Sequence, residues 1–166
     1  MAKAESWKPP SYQAAVFFVS DVVTSKRFYS ELLGQKIMAD FGRNVTFEGG
    51  LSIWETNYAL RTIFGDKAEA LTVGGNNAEL YFESSDIDEL CIRLKANGVP
   101  VIHPIYEHPW GQRGFRVYDP DKHIVEFSEP MSAVVLRMHK NGLSVAEISE
   151  KSMMPPEFIN AVLEAK

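Results

Sequence analysis

Apolar and polar positions along this chain follow one pattern that is stated twice. Ala14-Ala15-Val16-Phe17-Phe18-Val19 is an unbroken apolar run bounded by Ser20-Asp21, which predicts a buried strand. Asp21 is placed to cap a following helix, since its carboxylate can accept from the free N–H groups of a first turn. From Val22 to Leu33 the pairs Phe28/Leu32 and Tyr29/Leu33 recur at helical spacing, and Gly34 supplies the stop. Three short strands are predicted next, at Gln35–Ala39, Asn44–Phe47 and Leu51–Glu55, the last two joined through Gly49-Gly50. After Gly74-Gly75 the order returns. Ala78 to Glu83 predicts a strand, and Asp86 with Glu89 three residues on predicts a capping box. Ile87, Leu90, Cys91 and Leu94 form one helical stripe ended by Gly98, followed by strands at Val99–His103, Gly114–Tyr118 and His123–Phe127.

The repeat predicts an α+β fold of two βαβββ modules whose strands enclose a cavity. Its parts are a Pro-containing lead-in over 1–11, a first module over 12–56, and a linker over 57–76 with an apolar element near Leu60–Phe64. A second module over 77–130 completes the repeated part, and a helical C-terminal extension covers 131–166. Three helices are expected in the extension. The first carries Val134, Val135 and Met138; the second opens on a capping box at Ser144 and Glu147; the third starts at Pro155-Pro156.

Charge narrows the partners. Lys and Arg number 17 against 22 Asp and Glu, a net −5, which disfavours a phosphate-binding surface and suits neutral or cationic ligands. The tail has a helix-turn-helix look, yet Arg137, Lys140, Lys151 and Lys166 are matched by Glu147, Glu150, Glu157 and Glu164, so no nucleic-acid partner is expected. The lone Cys91 cannot form an intrachain disulfide and suits a cytoplasmic location. No signal peptide or membrane-length apolar run is visible. Neither a phosphate loop nor a Gly-x-Ser-x-Gly elbow occurs, so no nucleotide cofactor and no serine chemistry are expected.

The segment FFVSDVVTSKRFYSELLG resembles the first module of vicinal-oxygen-chelate proteins, the glyoxalase, bleomycin-resistance and dioxygenase superfamily. WGQRGFRVYDPDKHIVEF is similar to that family's closing hairpin, where an Asp-Pro-Asp-Gly turn precedes a strand ending in a metal-ligand Glu; here Lys122 replaces the Gly. The resemblance implies a homodimer and a divalent metal (Zn, Ni, Mn or Fe) held by side chains from the first and fourth strands of each module. Such a metal chelates two neighbouring oxygens and stabilises an enolate.

Carried over position by position, the first ligand place falls on Ala14, which has no donor, with Gln13 beside it. Glu79 and Glu126 fall on two others and are the candidate catalytic and metal-holding residues. In the remaining strand alternation points inward either Ser52/Trp54 or Ile53/Glu55, the second placing Glu55 as a third ligand. A reading without metal stays open, with Glu126 bonded to Arg116 or Gln112. Phe18, Trp54, Tyr81, Trp110 and Phe115 are candidate cavity walls, or else plain core. Phe18 and Ile124 stand where glyoxalase I holds glutathione with basic residues, so that activity is not expected. None of His103, His108, His123 and His139 falls on a ligand position; His123 is expected to face outward, and His103 and His108 lie with Trp110 near a cavity mouth or on plain surface. Three functions follow: a metal-dependent isomerase or lyase, a non-catalytic protein sequestering an aromatic or cationic small molecule, or a ligand sensor whose tail meets a partner.

Overall fold

In the computed structural model, which describes residues 8–165, both apolar runs become the first strand of a four-stranded sheet. The lead-in expected over 1–11 lies outside the described residues as far as Trp7. The chain divides into two compact units, one ending at Leu71 and the other starting at Thr72.

Unit one runs β1 (Ala15–Val19), α1 (Val22–Arg27), β2 (Ile37–Asp40), β3 (Asn44–Phe47) and β4 (Leu51–Glu55), with sheet order β1-β4-β3-β2. The β1–β4 pair is parallel and the others antiparallel, as a βαβββ module requires. Asp21 caps α1 by accepting from the Val23 amide at 3.0 Å. The predicted helix does not stay α-helical to its end: over Phe28–Leu32 it widens, and the Leu33 amide donates five residues back to the Phe28 carbonyl at 3.1 Å. Phe28 and Tyr29, neighbours in sequence, are both buried there, with Tyr29 against Phe47. Pairing of Phe18 with Trp54 and of Asn44 with Trp54 puts these residues on one sheet face, together with Ser52 and Thr46. The opposite face is the core, where Val19, Val45, Phe47 and Ile53 are fully buried.

The 57–76 linker differs from expectation. A nine-residue helix, α2 (Thr56–Phe64), leaves β4 directly, and the apolar element foreseen at Leu60–Phe64 is its second half. Its cap is Glu55, whose carboxylate oxygens accept from the Asn57 and Tyr58 amides at 3.1 and 3.0 Å. Glu is outside the usual N-cap set of Ser, Thr, Asp and Asn, so the start signal was hidden.

Unit two repeats the plan with β5 (Glu79–Glu83), α3 (Ile87–Ala96), β6 (Val101–Glu107), β7 (Arg113–Tyr118) and β8 (Ile124–Ser128), in the order β5-β8-β7-β6 with β5 parallel to β8. The capping box foreseen at Asp86 does not form, since the Asp86 side chain accepts no cap bond. In the β7–β8 turn Lys122 takes the left-handed conformation (φ 65°) that a glycine would adopt freely. Asp119 secures that turn, its Oδ1 accepting from the Asp121 and His123 amides and its Oδ2 lying 3.0 Å from His123 Nδ1. His123 is therefore buried in the turn rather than facing outward.

Three helices end the chain: α4 (Met131–Lys140), α5 (Val145–Ser152) and α6 (Pro156–Glu164). The Ser144/Glu147 capping box is present. Val134, Val135, Met138, Ile148 and Ile159 form a buried cluster, with Val145, Phe158 and Val162 partly buried against it. Arg137 ties the cluster to the strands of unit two, donating to the Gly111 carbonyl at 2.6 Å and to Glu129 at 2.7 Å, and Lys151 pairs with Glu107 at 3.1 Å. Among the described residues no helix is long and apolar enough to cross a membrane.

Candidate functional site

Strand alternation sorts the second sheet into an apolar face and a polar one. Leu80, Phe115, Val117, Val125 and Phe127 are buried on the face covered by α3 through Ile87, Cys91 and Leu94. The other face gathers Glu79 and Tyr81 from β5, Glu126 and Ser128 from β8, Gly114 and Arg116 from β7, and His103 from β6. The pairings Tyr81–Glu126, Arg116–Glu126, Gly114–Ser128 and His103–Arg116 fix this set.

At its centre Arg116 bridges the two acids that the sequence singled out. Nε donates to Glu79 at 2.6 Å, Nη2 donates to Glu126, and Nη1 lies 3.3 Å from His103 Nε2. Ser128 Oγ donates to the second oxygen of Glu126 at 2.7 Å, so this buried carboxylate has a partner on each side. The bond from Arg116 holds the Glu79 carboxyl below its usual range, and Glu79 in turn holds Arg116 above its own.

A second tier surrounds the bridge. Gln112 donates to the Tyr81 hydroxyl at 3.1 Å and to the Glu129 carbonyl at 2.7 Å, and accepts from Trp110 Nε1 at 3.0 Å. The Tyr81 hydroxyl itself donates to Glu83 at 3.2 Å, and half of the residue's surface is exposed. Burial is the largest influence on the Tyr81 phenol and raises it. His108 stacks flat on Trp110, with ring centres 4.3 Å apart, and is buried, yet its Nε2 has no hydrogen-bond partner among the described residues. Burial pushes the His108 imidazole down and favours its neutral form. Gly114 keeps this corner open: a Cβ there would stand 2.5 Å from Ser128 Oγ and 3.6 Å from His108 Nε2.

Two sequence expectations change. Phe115 is not a cavity wall; it is fully buried on the α3 side, its ring 5.2 Å from Phe127. Glu55 shares the parity of the buried Ile53, opposite to Phe18 and Trp54, and both its oxygens cap α2, so it is not placed as a third metal ligand. Ser52/Trp54 is the pair that shares a face with Phe18. Trp54 lines an open groove of about 690 Å3 in unit one with Phe41, Gly42, Arg43, Asn44 and Tyr58. Sequence reading named Arg116 only as a partner in the alternative without metal, and gave no role to Ser128 or Arg43.

The donor set does not fit a resident divalent metal. Glu79 and Glu126 are adjacent, but a guanidinium already fills the cationic place between them. Ala14 brings no donor, and Gln13 is exposed, its Nε2 donating to Ser11 Oγ at 2.9 Å. Among the described residues no three His, Cys, Asp or Glu side chains are grouped so as to hold an ion.

Residues 12–132 match the glyoxalase-like domain family. Among solved structures, a protein of unknown function from Agrobacterium tumefaciens str. C58 is 38% identical with a TM-score of 0.68, the match covering 75% of this chain and 98% of that one. A glyoxalase/bleomycin resistance protein/dioxygenase from Nocardioides is 24% identical (TM-score 0.59; 75% and 85% covered). Lactoylglutathione lyase from Agrobacterium tumefaciens is 21% identical (TM-score 0.58; 75% and 96% covered). The latter two are likenesses of fold alone. No curated protein matches the sequence.

Proposed function

The chain belongs to the glyoxalase-like domain family of the vicinal-oxygen-chelate superfamily, and from that premise we propose that it binds a small molecule without a resident metal. The observation that carries this reading is the Arg116 bridge between Glu79 and Glu126. A divalent ion in such a site supplies a Lewis acid with exchangeable coordination positions. A guanidinium supplies one fixed positive charge and N–H donors, and it accepts no ligand oxygen into a coordination sphere. It lowers the Glu79 carboxyl and holds both acids in place, which suits binding rather than enolate chemistry.

The face left open selects the ligand. Three carboxylates (Glu79, Glu83 and Glu126) outnumber the one cation, Arg116, and the half-exposed Tyr81 ring is fixed by Gln112 and Glu83. Such a face favours a cationic or aromatic molecule, which Tyr81 can hold by stacking or by cation–π attraction. We take the protein to be a cytoplasmic homodimer, as superfamily resemblance and the lone buried Cys91 suggest; light scattering after gel filtration checks the dimer.

Metal analysis of protein purified without chelators or a His tag tests the main reading, together with calorimetric titration with Mn2+, Ni2+ and Zn2+. The expected result is well under one ion per chain and no saturable heat. One tightly bound ion per chain, lost in both Glu126→Gln and Glu79→Ala, would overturn it. That result would restore the metal-dependent isomerase or lyase, with the two glutamates as its ligands.

A further inference from the structure

We propose that the groove of unit one between the β2–β3 turn and the start of α2 binds an aromatic carboxylate. Arg43 is the charged residue of the groove, and its guanidinium lies 4.9 Å above the centre of the Tyr58 ring. It has no acidic partner among the described residues. Asp40, Glu48 and Glu55 are already engaged, Glu48 with Lys36 at 3.6 Å. Asp40 accepts from the Gly42 amide at 2.8 Å through one oxygen and from Lys26 at 3.0 Å through the other. Glu55 spends both oxygens on the first turn of α2. The exposed guanidinium beside the Tyr58 ring is open to an anion that a ligand brings.

The backbone holds that cation in place before any ligand arrives. Phe41 donates to the Asn44 carbonyl and Glu55 to the Arg43 carbonyl, each at 2.8 Å, so the turn is fixed at both ends. Gly42, at φ 75°, makes the tight reversal possible. The walls are aromatic. Trp54 meets Tyr58 edge-on at 6.3 Å and Phe18 at 6.4 Å, while Phe41 is largely exposed at the rim. The side-chain amide of Asn44, which faces Trp54 across the strand pair, makes no hydrogen bond among the described residues.

One planar ring carrying one carboxylate fits this arrangement. The ring lies on Trp54, Arg43 takes the carboxylate through two N–H groups, and Asn44 adds a third polar contact. A single basic residue is too little for a polyphosphate, and Arg43 repels a cation. A space of about 690 Å3 falls in the range of small-molecule sites.

2-Naphthoate and its neutral analogue 2-naphthamide, titrated into the full chain by calorimetry, test the proposal. Saturable naphthoate binding is expected, with naphthamide weaker by about tenfold or more. Arg43→Gln should weaken naphthoate by a similar factor and leave naphthamide unchanged. Lys36→Gln, which removes an exposed cation paired with Glu48, should leave both unchanged. Absence of saturable naphthoate binding, equal affinity for acid and amide, or an Arg43→Gln variant that binds naphthoate as the parent does would overturn the site. These readouts are independent of the metal titration, so either reading can fail alone.

Discussion

Replacing Arg116 by Met removes the guanidinium and keeps much of its apolar stem, so it isolates the charge in the bridge. The side chains of Arg116, Glu126 and Glu79 are 24%, 8% and 37% exposed. Deleting one partner of a fully buried ion pair costs about 3–5 kcal/mol. Glu126 approaches that case, while Glu79 and Arg116 are screened by water, which lowers the expected loss at neutral pH to about 2–3 kcal/mol. For a chain of this size that is a fall in Tm of about 5–10 °C. The sign with pH separates charge from packing. In the parent, Glu79 titrates below its usual range because Arg116 bonds to it, so that contribution is present above the unfolded carboxylate value, about 4.3, and is lost as pH falls through the lower folded value. In Arg116→Met the buried Glu126 loses its cationic partner and keeps only the bond from Ser128. The gap in Tm should therefore hold from pH 7 down to about 4.3 and narrow below it, and Arg116→Met/Glu126→Gln should recover much of the loss. Added Mn2+ should raise the Tm of Arg116→Met more than that of the parent, because two facing carboxylates are then free. A gap as wide at about pH 3 as at pH 7, or a Tm within about 1 °C of the parent at pH 7, would refute the reasoning.

Other perturbations address the scaffold. Truncation after Pro130 removes the α4–α6 cluster and strips Glu107 and Glu129 of Arg137 and Lys151, so the shortened chain should melt lower or aggregate, as differential scanning calorimetry and light scattering would show. Gly74→Ala should cost about 2 kcal/mol or more in urea unfolding, because the new Cβ meets the Asp121 and Lys122 carbonyls at 2.7 and 2.9 Å in a left-handed backbone. Lys122→Gly should instead stabilise by roughly 0.5–1 kcal/mol in the same assay, relieving a left-handed lysine. His108 is held below its ordinary value, so the unfolded chain binds its proton first; stability should fall as pH drops through about 6.5, and His108→Gln should flatten that slope in thermal melts.

Elements with two concordant signals were legible. Asn44–Phe47 and Leu51–Glu55 have an alternating face and glycine punctuation, and the structure places strands over the same residues. Asp21 precedes an apolar stripe and caps it, whereas Asp86 precedes an equally good stripe and leaves its cap bond unmade, so the side-chain pattern marks where a helix starts better than which atoms cap it. The start of α2 was missed because Glu55 acts as a cap that propensity does not favour. Trp54 and Ile53 are both apolar, and only the burial of Ile53 against the core decides which faces the groove. For Phe115 the strand was right and two readings, cavity wall or plain core, stayed open until the sheet parity placed it in the core.

The two acids were found for a reason that also explains why Arg116 was named only as one alternative partner of Glu126 and not as the bridge to Glu79. Glu79 and Glu126 sit at fixed distances from a helix cap and a turn, so local spacing places them. Arg116 reaches them through pairings that local spacing does not encode. It opposes Glu126 across the β7–β8 hairpin, and it meets His103 on a strand whose register slips between Val101 and His103 and again before Tyr106. Each slip shifts which β6 residue shares the face, so the position of a single cation depends on the assembled sheet. In this family's fold one position on β7 can thus decide between two chemistries. With a short side chain there, the carboxylates would be left for a divalent ion. With an arginine, three N–H groups reach two acids and an imidazole, and an incoming ion must first displace a charge that both carboxylates hold. That competition is what the manganese response of Arg116→Met measures.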